Sequence, residues 1–287
     1  MLAATVGVVS DDNRLGVYLR ARRELVRPEE VGLSTTGVRR VPGLRREEVA
    51  LLAGVSSDYY LRLEQGRDRN PSPQVLEAIA NVLQLDEDGT NYLLGMVAPR
   101  PRGVRRRRRT RVPPALAQLL DVIGVPAVIE DRYLDVVAGN PLARLLDPTL
   151  VAGENRLRSF FLDPALQALH TEWESLCASL VASFRTSVGS DTDDPRAVEL
   201  VGQLSLASER FRQLWARHDV KALAGGTMTF DHPQVGSLTL HRQKFTLGDG
   251  SGLILGTFHA EPGSEDAEKL ALLGSLGYTE AARPHER

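Results

Sequence analysis

The chain has 287 residues, 42% hydrophobic and 25% charged, enough for two domains that each bury a core. No apolar run approaches the roughly 20 residues of a membrane span, and the single cysteine, Cys177, excludes an internal disulfide and a thiolate zinc cage. The net charge of −2 hides a split: residues 1–112 carry 20 arginines, no lysine and 14 carboxylates, a net +6, whereas residues 113–287 carry 15 basic and 23 acidic side chains, a net −8, so only the first part suits a polyanion.

Residues 1–12 have no positive n-region and read as a disordered tail. A first helix is expected over Asn13–Val26, with Leu15, Tyr18, Leu19 and Leu25 on one buried face. Pro28 interrupts the chain, and a Gly- and Thr-containing connection follows from Gly32 to Gly43. The second helix spans Arg45–Ala53, with Val49, Leu52 and Ala53 inward. Gly54 breaks it, since a sharp turn there needs positive φ, and Val55 fills the angle. Ser56 or Ser57 caps a third helix that runs to Gln65, with Gly66 just beyond its end. Ser72 and Pro73 open a fourth helix whose Leu76, Ile79, Ala80 and Leu83 recur at helical spacing. A fifth runs from about Asp86 to Gly95.

The first domain is thus all-α and covers 13–98. Tyr60 and Leu63 face its core, which leaves Ser57, Asp58, Tyr59 and Arg62 on the outer face of the third helix. A helix so presented suits the major groove. These four are the candidates for base contact, Arg62 having the fork that reads guanine. Arg45, Arg46, Arg67, Arg69 and Asn70 are the candidates for phosphate contact. Asp58 near DNA is repelled unless it accepts from cytosine, and it also suits a helix N-terminus.

Residues 99–114, PRPRGVRRRRRTRVPP, hold eight arginines and four prolines and read as an extended basic linker. The run Arg105–Arg109 has three readings: a minor-groove arm, a tracker of phosphates (the reading preferred here), or a soluble spacer.

Residues 115–262 read as an α+β domain. Short β-rich runs at Ala127–Glu130 and Leu134–Ala138 precede a helix opened by Asn140-Pro141. Helical stretches follow at Ala165–Phe184, Pro195–Ser205 and Glu209–His218. Three alternating runs, Gly225–His232, Ser237–Leu247 and Leu253–His259, complete an antiparallel sheet. Residues 263–287 are expected to be a partly disordered tail. Phe160, Phe161, Trp173, Leu176, Leu180, Phe211, Leu214 and Trp215 are candidates to line an apolar ligand pocket, or else fill an ordinary core. Cys177 reads as a small buried apolar residue.

Residues 13–95 resemble the Xre/lambda-repressor-like helix-turn-helix family, and within them the strings RRVPGLRREEVALLAGVS and YYLRLEQGRDRNPSPQVLEAIANVLQLD resemble the actinobacterial regulators that carry an MmyB-like C-terminal domain. AGNPLARLL, FLDPALQALHTEWE, FRQLWARHDV and TFDHPQVGSLTL resemble the MmyB-like, PAS-like ligand-binding domain. The resemblance implies a cytoplasmic homodimeric transcription regulator that binds double-stranded DNA and senses a small apolar molecule, fatty acids foremost. It also implies an ion pair between Glu64 and an arginine of the first helix, Arg23 being the choice. The rival is a second domain that serves as a constitutive dimerisation or protein-interaction module.

Neither an enzyme nor a cofactor or metal site is expected. His170, His218, His232, His241 and His259 lack metal-ligand spacing, and neither nucleophile-elbow nor phosphate-loop glycine patterns occur. His218 and Asp219 are sequence neighbours that should point apart, with a helix-end role for the histidine.

Overall fold

The computed structural model describes residues 13–34, 39, 41–68, 70–97, 112–189, 194–222, 225–248 and 251–281, without the side chains of 277–281. Residues 1–12, most of the basic linker and Arg69 lie outside the described residues.

The first domain packs α1 (Arg14–Leu25), α2 (Arg46–Leu52), α3 (Ser57–Glu64), α4 (Pro73–Val82) and α5 (Glu87–Val97) around one core. A 3₁₀ turn, Pro28–Val31, follows α1. The core holds Tyr18, Leu19, Leu44, Val49, Tyr60, Leu63, Leu76, Ile79 and Leu93, all at most 1% exposed. Two expected core positions are corrected. Leu25 stays 42% exposed because α1 ends there, and Leu52 stays 39% exposed because it lies in the last turn of a short helix that buries Val49 and Ala50 instead. Ser72 Oγ accepts from Val75 N, so the fourth helix starts at its expected cap.

The second domain holds a five-stranded antiparallel sheet, β1 (Ala127–Glu130), β2 (Val136–Gly139), β3 (Gly226–His232), β4 (Gly236–Thr246) and β5 (Ile254–His259), in the order β2-β1-β5-β4-β3. Between β2 and β3 the chain inserts α7 (Pro141–Leu146), α8 (Arg156–Leu162), α9 (Pro164–Leu169), α10 (Trp173–Val188), α11 (Pro195–Ala207) and α12 (Glu209–Ala216). Their apolar faces meet the inner sheet face in one core, which includes Val128, Phe184, Leu200, Phe211, Phe230, Leu240 and Phe258. This is the α+β, PAS-like layering. On the opposite face α6 (Pro114–Val122) places Leu116 and Leu120 against Ala127, Ile129, Leu253 and Leu255. Buried Asn140 secures the start of α7, its Oδ1 accepting from Ala143 N (2.9 Å) and Ala127 N (3.1 Å).

Three expectations change. The single helix foreseen over Ala165–Phe184 is broken at His170, whose backbone leaves the helical region to bridge Phe230 of β3. The chain after Pro262, expected to be partly disordered, forms α13 (Glu265–Ala281), which packs on α7 and β4 and buries Leu270 and Leu273; residues 282–287 lie outside the described residues. Pro114, placed in the linker, opens α6.

Candidate functional sites

Gly54 has φ +69° and joins α2 to α3 in a sharp turn. Ser56 caps α3, its Oγ accepting from Tyr59 N at 3.1 Å. Tyr60, Leu63 and Glu64 are buried, while Ser57 and Asp58 are exposed, the Arg62 side chain is 43% exposed and Tyr59 is half-buried. Asp58 and Arg62 pair with each other, one helical turn apart, and the Arg62 guanidinium lies 5.7 Å from the Tyr59 ring centroid. Asp58 is therefore neutralised from within the helix.

Glu64 pins the bundle together. Its carboxylate accepts from Arg23 Nε of α1 (2.6 Å) and Arg46 Nε of α2 (2.6 Å), and its backbone carbonyl accepts from Asn13 Nδ2 (3.1 Å). Arg23 also donates to Leu44 O at 2.7 Å. Of the phosphate candidates, Arg46 is thus committed to Glu64 while remaining 44% exposed. Arg45, Arg67 and Asn70 are exposed. Sequence reasoning missed Gly16, where α1 crosses α3: a Cβ there would lie 2.1 Å from the Glu64 carbonyl oxygen.

In the second domain all eight pocket candidates gather in one core. Phe161, Phe211, Trp215 and Phe184 form a chain of ring contacts, Phe211 stacking on Trp215 at 5.8 Å. Trp173 donates from Nε1 to Phe160 O at 2.8 Å. Phe160, Leu176 and Leu180 also line a cavity, which holds about 30 Å³ between α8, α10, β3 and β4. Its other walls are Ser179, Ser183, Met228 and three cations, Arg156, Arg242 and Lys244.

Two of the three cations, Lys244 and Arg156, share a single carboxylate. Glu130, 1% exposed, meets Lys244 Nζ at 2.9 Å and Arg156 Nη1 at 3.3 Å. Burial alone would raise the Glu130 pKa, yet Lys244 and Arg156 pull it down to about 2. Burial lowers the pKa of both Arg242 and Lys244. Arg242 Nε and Arg156 Nε have no hydrogen-bond partner among the described residues. Beside them His170, 3% exposed, is sandwiched between Phe160 (4.8 Å) and Phe230 (4.9 Å), with neither ring nitrogen partnered among the described residues. Burial, reinforced by Arg156 and Arg242, lowers its pKa to about 3. Sequence reasoning missed this cluster, although the alternation Leu238, Leu240, Arg242, Lys244 places the cations on the buried strand face.

Cys177 is fully buried, which pushes its thiol up to about 12. His218 stands at the end of α12, where at φ +55° its backbone N–H donates to Trp215 O at 3.4 Å; its Nδ1 turns to Arg185 at 3.2 Å, while Asp219 pairs with Arg22 and Arg217.

A short outward helix on a glycine hinge, followed by a PAS-like sheet domain with a charged internal cavity, defines the class of helix-turn-helix regulators that carry a ligand-binding domain. The family model described as the MmyB-like transcription regulator ligand binding domain matches residues 112–273, and one described as a helix-turn-helix domain matches residues 14–93. The chain belongs to the MmyB-like transcription regulator family. No curated protein matches it. Among the described residues no helix is long and apolar enough to cross a membrane, and no group of three metal-ligating side chains occurs.

Proposed function

We propose that the chain is an Xre-type, sequence-specific DNA-binding regulator that acts as a cytoplasmic homodimer and responds to a fatty acid. The observation that carries the DNA reading is the outward face of α3, where Ser57, Asp58 and Arg62 stand clear of the core and Tyr59, packed on the core's edge, keeps part of its side chain exposed. Those four read bases. Arg45, Arg67, Arg69 and Asn70 position phosphates, and Arg46 does so with whatever reach its bond to Glu64 leaves. On DNA, Arg62 exchanges Asp58 for a guanine edge.

The ligand reading is supported by the excess of cations over carboxylates around the cavity. Among the described residues Glu130 is the one carboxylate paired with Arg156 and Lys244, no ion pair reaches Arg242, and an entering carboxylate balances a charge that burial makes costly. Phe160, Leu176, Leu180 and Met228 offer the start of an apolar path for the chain. A cavity of about 30 Å³ holds roughly one water, so an acyl chain enters only by displacing side chains of α10. The small size of the cavity is also what favours the second reading, a constitutive dimerisation or protein-interaction module.

The test is thermal unfolding with dodecanoate and with dodecanol. Dodecanoate should raise the Tm by several degrees at saturation, dodecanol should not, and Arg242→Gln should abolish the difference. No shift with either compound gives the second reading the case. For the DNA face, operator selection with Arg62→Ala should return altered base preferences. An unchanged selected sequence would refute the assignment.

A further inference from the structure

The two domains meet along a narrow seam formed by α1 and the start of α5 on one side and by α10 and the end of α12 on the other. Asp219 receives Arg22 of α1 and also Arg217 Nε at 2.7 Å. Ala222 N donates to Asp88 Oδ2 of α5 at 2.6 Å. Val220 packs on the edge of the DNA-binding domain's core, and His218 presents its ring edge-on to Tyr18 at 6.3 Å.

Closing this seam leaves polar groups poorly served. Tyr18 Oη, Arg22 Nε and Arg185 Nε are buried with no hydrogen-bond partner among the described residues. Arg185 is 5% exposed and faces Trp215 O, His218 Nδ1 and the Trp215 ring at 3.8 Å, with no carboxylate in contact among the described residues. Burial draws its pKa down to about 10. His218 sits at positive φ, uncommon for a side chain with a Cβ. A cleft of about 410 Å³, lined by Arg22, Asp86, Asp219 and Lys221 among others, runs beside the contact, so the seam is not a dry, close-packed interface.

One helix serves both places. In α10, Leu176, Ser179, Leu180 and Ser183 line the cation-walled cavity, while Ala178, Ser179 and Ala182 line the cleft, and Arg185 lies one turn further on. A displacement of α10 at the cavity is therefore a displacement at the seam.

We propose that the Arg22–Asp219 and Asp88–Ala222 seam is a latch with closed and open states, and that its state sets DNA affinity by fixing where α3 stands relative to the second domain. The latch does not cover the recognition helix, since its residues come from α1 and α5. It acts on placement, as a domain interface with two arrangements does. The proposal is independent of the ligand's identity; a molecule that enters beside α10 is one means of opening it.

The full chain carrying Asp88→Cys and Ala222→Cys, with Cys177 left in place, tests this on a duplex selected by the wild-type protein. Oxidation should cross-link the pair, confirmed by mass, and shift the Kd for the duplex at least threefold, with reduction restoring it. The reduced form of the same variant controls for damage to the fold. Asp219→Ala should shift the Kd at least threefold in the opposite direction, with Arg22→Ala as the substitute if that variant is unfolded. Failure of the pair to cross-link overturns the closed seam. Cross-linked and opened forms that both bind within twofold of the wild type, or that shift in the same direction, overturn the latch.

Discussion

His170 carries a histidine's polarity into a place where its nitrogens find no partner among the described residues, between two phenylalanine rings and beside two arginines. Protonation there would add a charge to a site already rich in cations. Burial and Arg156 and Arg242 accordingly hold its pKa at about 3. In the unfolded chain an ordinary histidine takes its proton near pH 6.5. Below that pH the unfolded state binds a proton that the folded state refuses, so stability falls as pH falls, down to about pH 3. The contribution of His170 should amount to about 1.4 kcal/mol per pH unit below 6.5. Denaturant titrations at pH 6.5 and 4.5 should show a smaller loss in His170→Gln than in the wild type, by roughly 2–3 kcal/mol. Equal losses would mean that the ring is protonated in the fold. His218, also held near 3 by burial and Arg185, acts with the same sign and remains in both proteins.

At the scale of elements, the helix-turn-helix depends on two glycines for different reasons. Gly54 needs φ +69° and has open space around it, so Gly54→Ala meets only backbone strain, about 1 kcal/mol. Gly16 lies where α1 presses on α3, and its added Cβ would meet the Glu64 carbonyl oxygen at 2.1 Å. That carbonyl belongs to the helix end that Arg23 and Arg46 hold, so it cannot retreat cheaply. Gly16→Ala should therefore cost at least about 3 kcal/mol, well beyond the strain at Gly54, as read by urea unfolding of the pair of variants. A smaller loss at Gly16 than at Gly54 would contradict the close crossing. The contrast also marks what the sequence could express. The turn at Gly54 is local, as are the caps at Ser56, Ser72 and Asn140 and the strand alternation, and each could be read from neighbouring residues. Gly16 against Glu64 spans 48 positions, and nothing near Gly16 announces the crossing. The break at His170 was hidden similarly, because apolar spacing runs on through it and only the pairing with Phe230 interrupts the helix. The order of α13 was hidden too, since its few leucines needed α7 and β4 as partners. The cation cluster was legible in part. Alternation in β4 placed Arg242 and Lys244 inward, but their meeting with Glu130 and Arg156 required the fold.

For the molecule as a whole, charge is distributed against the simple picture of a basic DNA-binding protein. The chain is net −2, with +6 on residues 1–112 and −8 on the remainder. Attraction to DNA must therefore come from one end while the acidic domain, docked through Asp219 and Asp88, stays close and opposes it. The run Arg105–Arg109, outside the described residues, supplies five of the 20 arginines of the first part, more than any other stretch of comparable length. If it tracks phosphates, each contact releases counterions and steepens the fall of log K with log salt by about 0.9. Replacing all five arginines by glutamine should flatten that slope by roughly 2–4 units and weaken selected and random duplexes alike, because phosphate contacts carry no base information. Arg45→Ala should act in the same manner by about one unit. A five-glutamine variant that keeps the wild-type slope would make the run a soluble spacer. One that keeps the slope for random duplex while losing it for an A·T-rich site would make it a minor-groove arm.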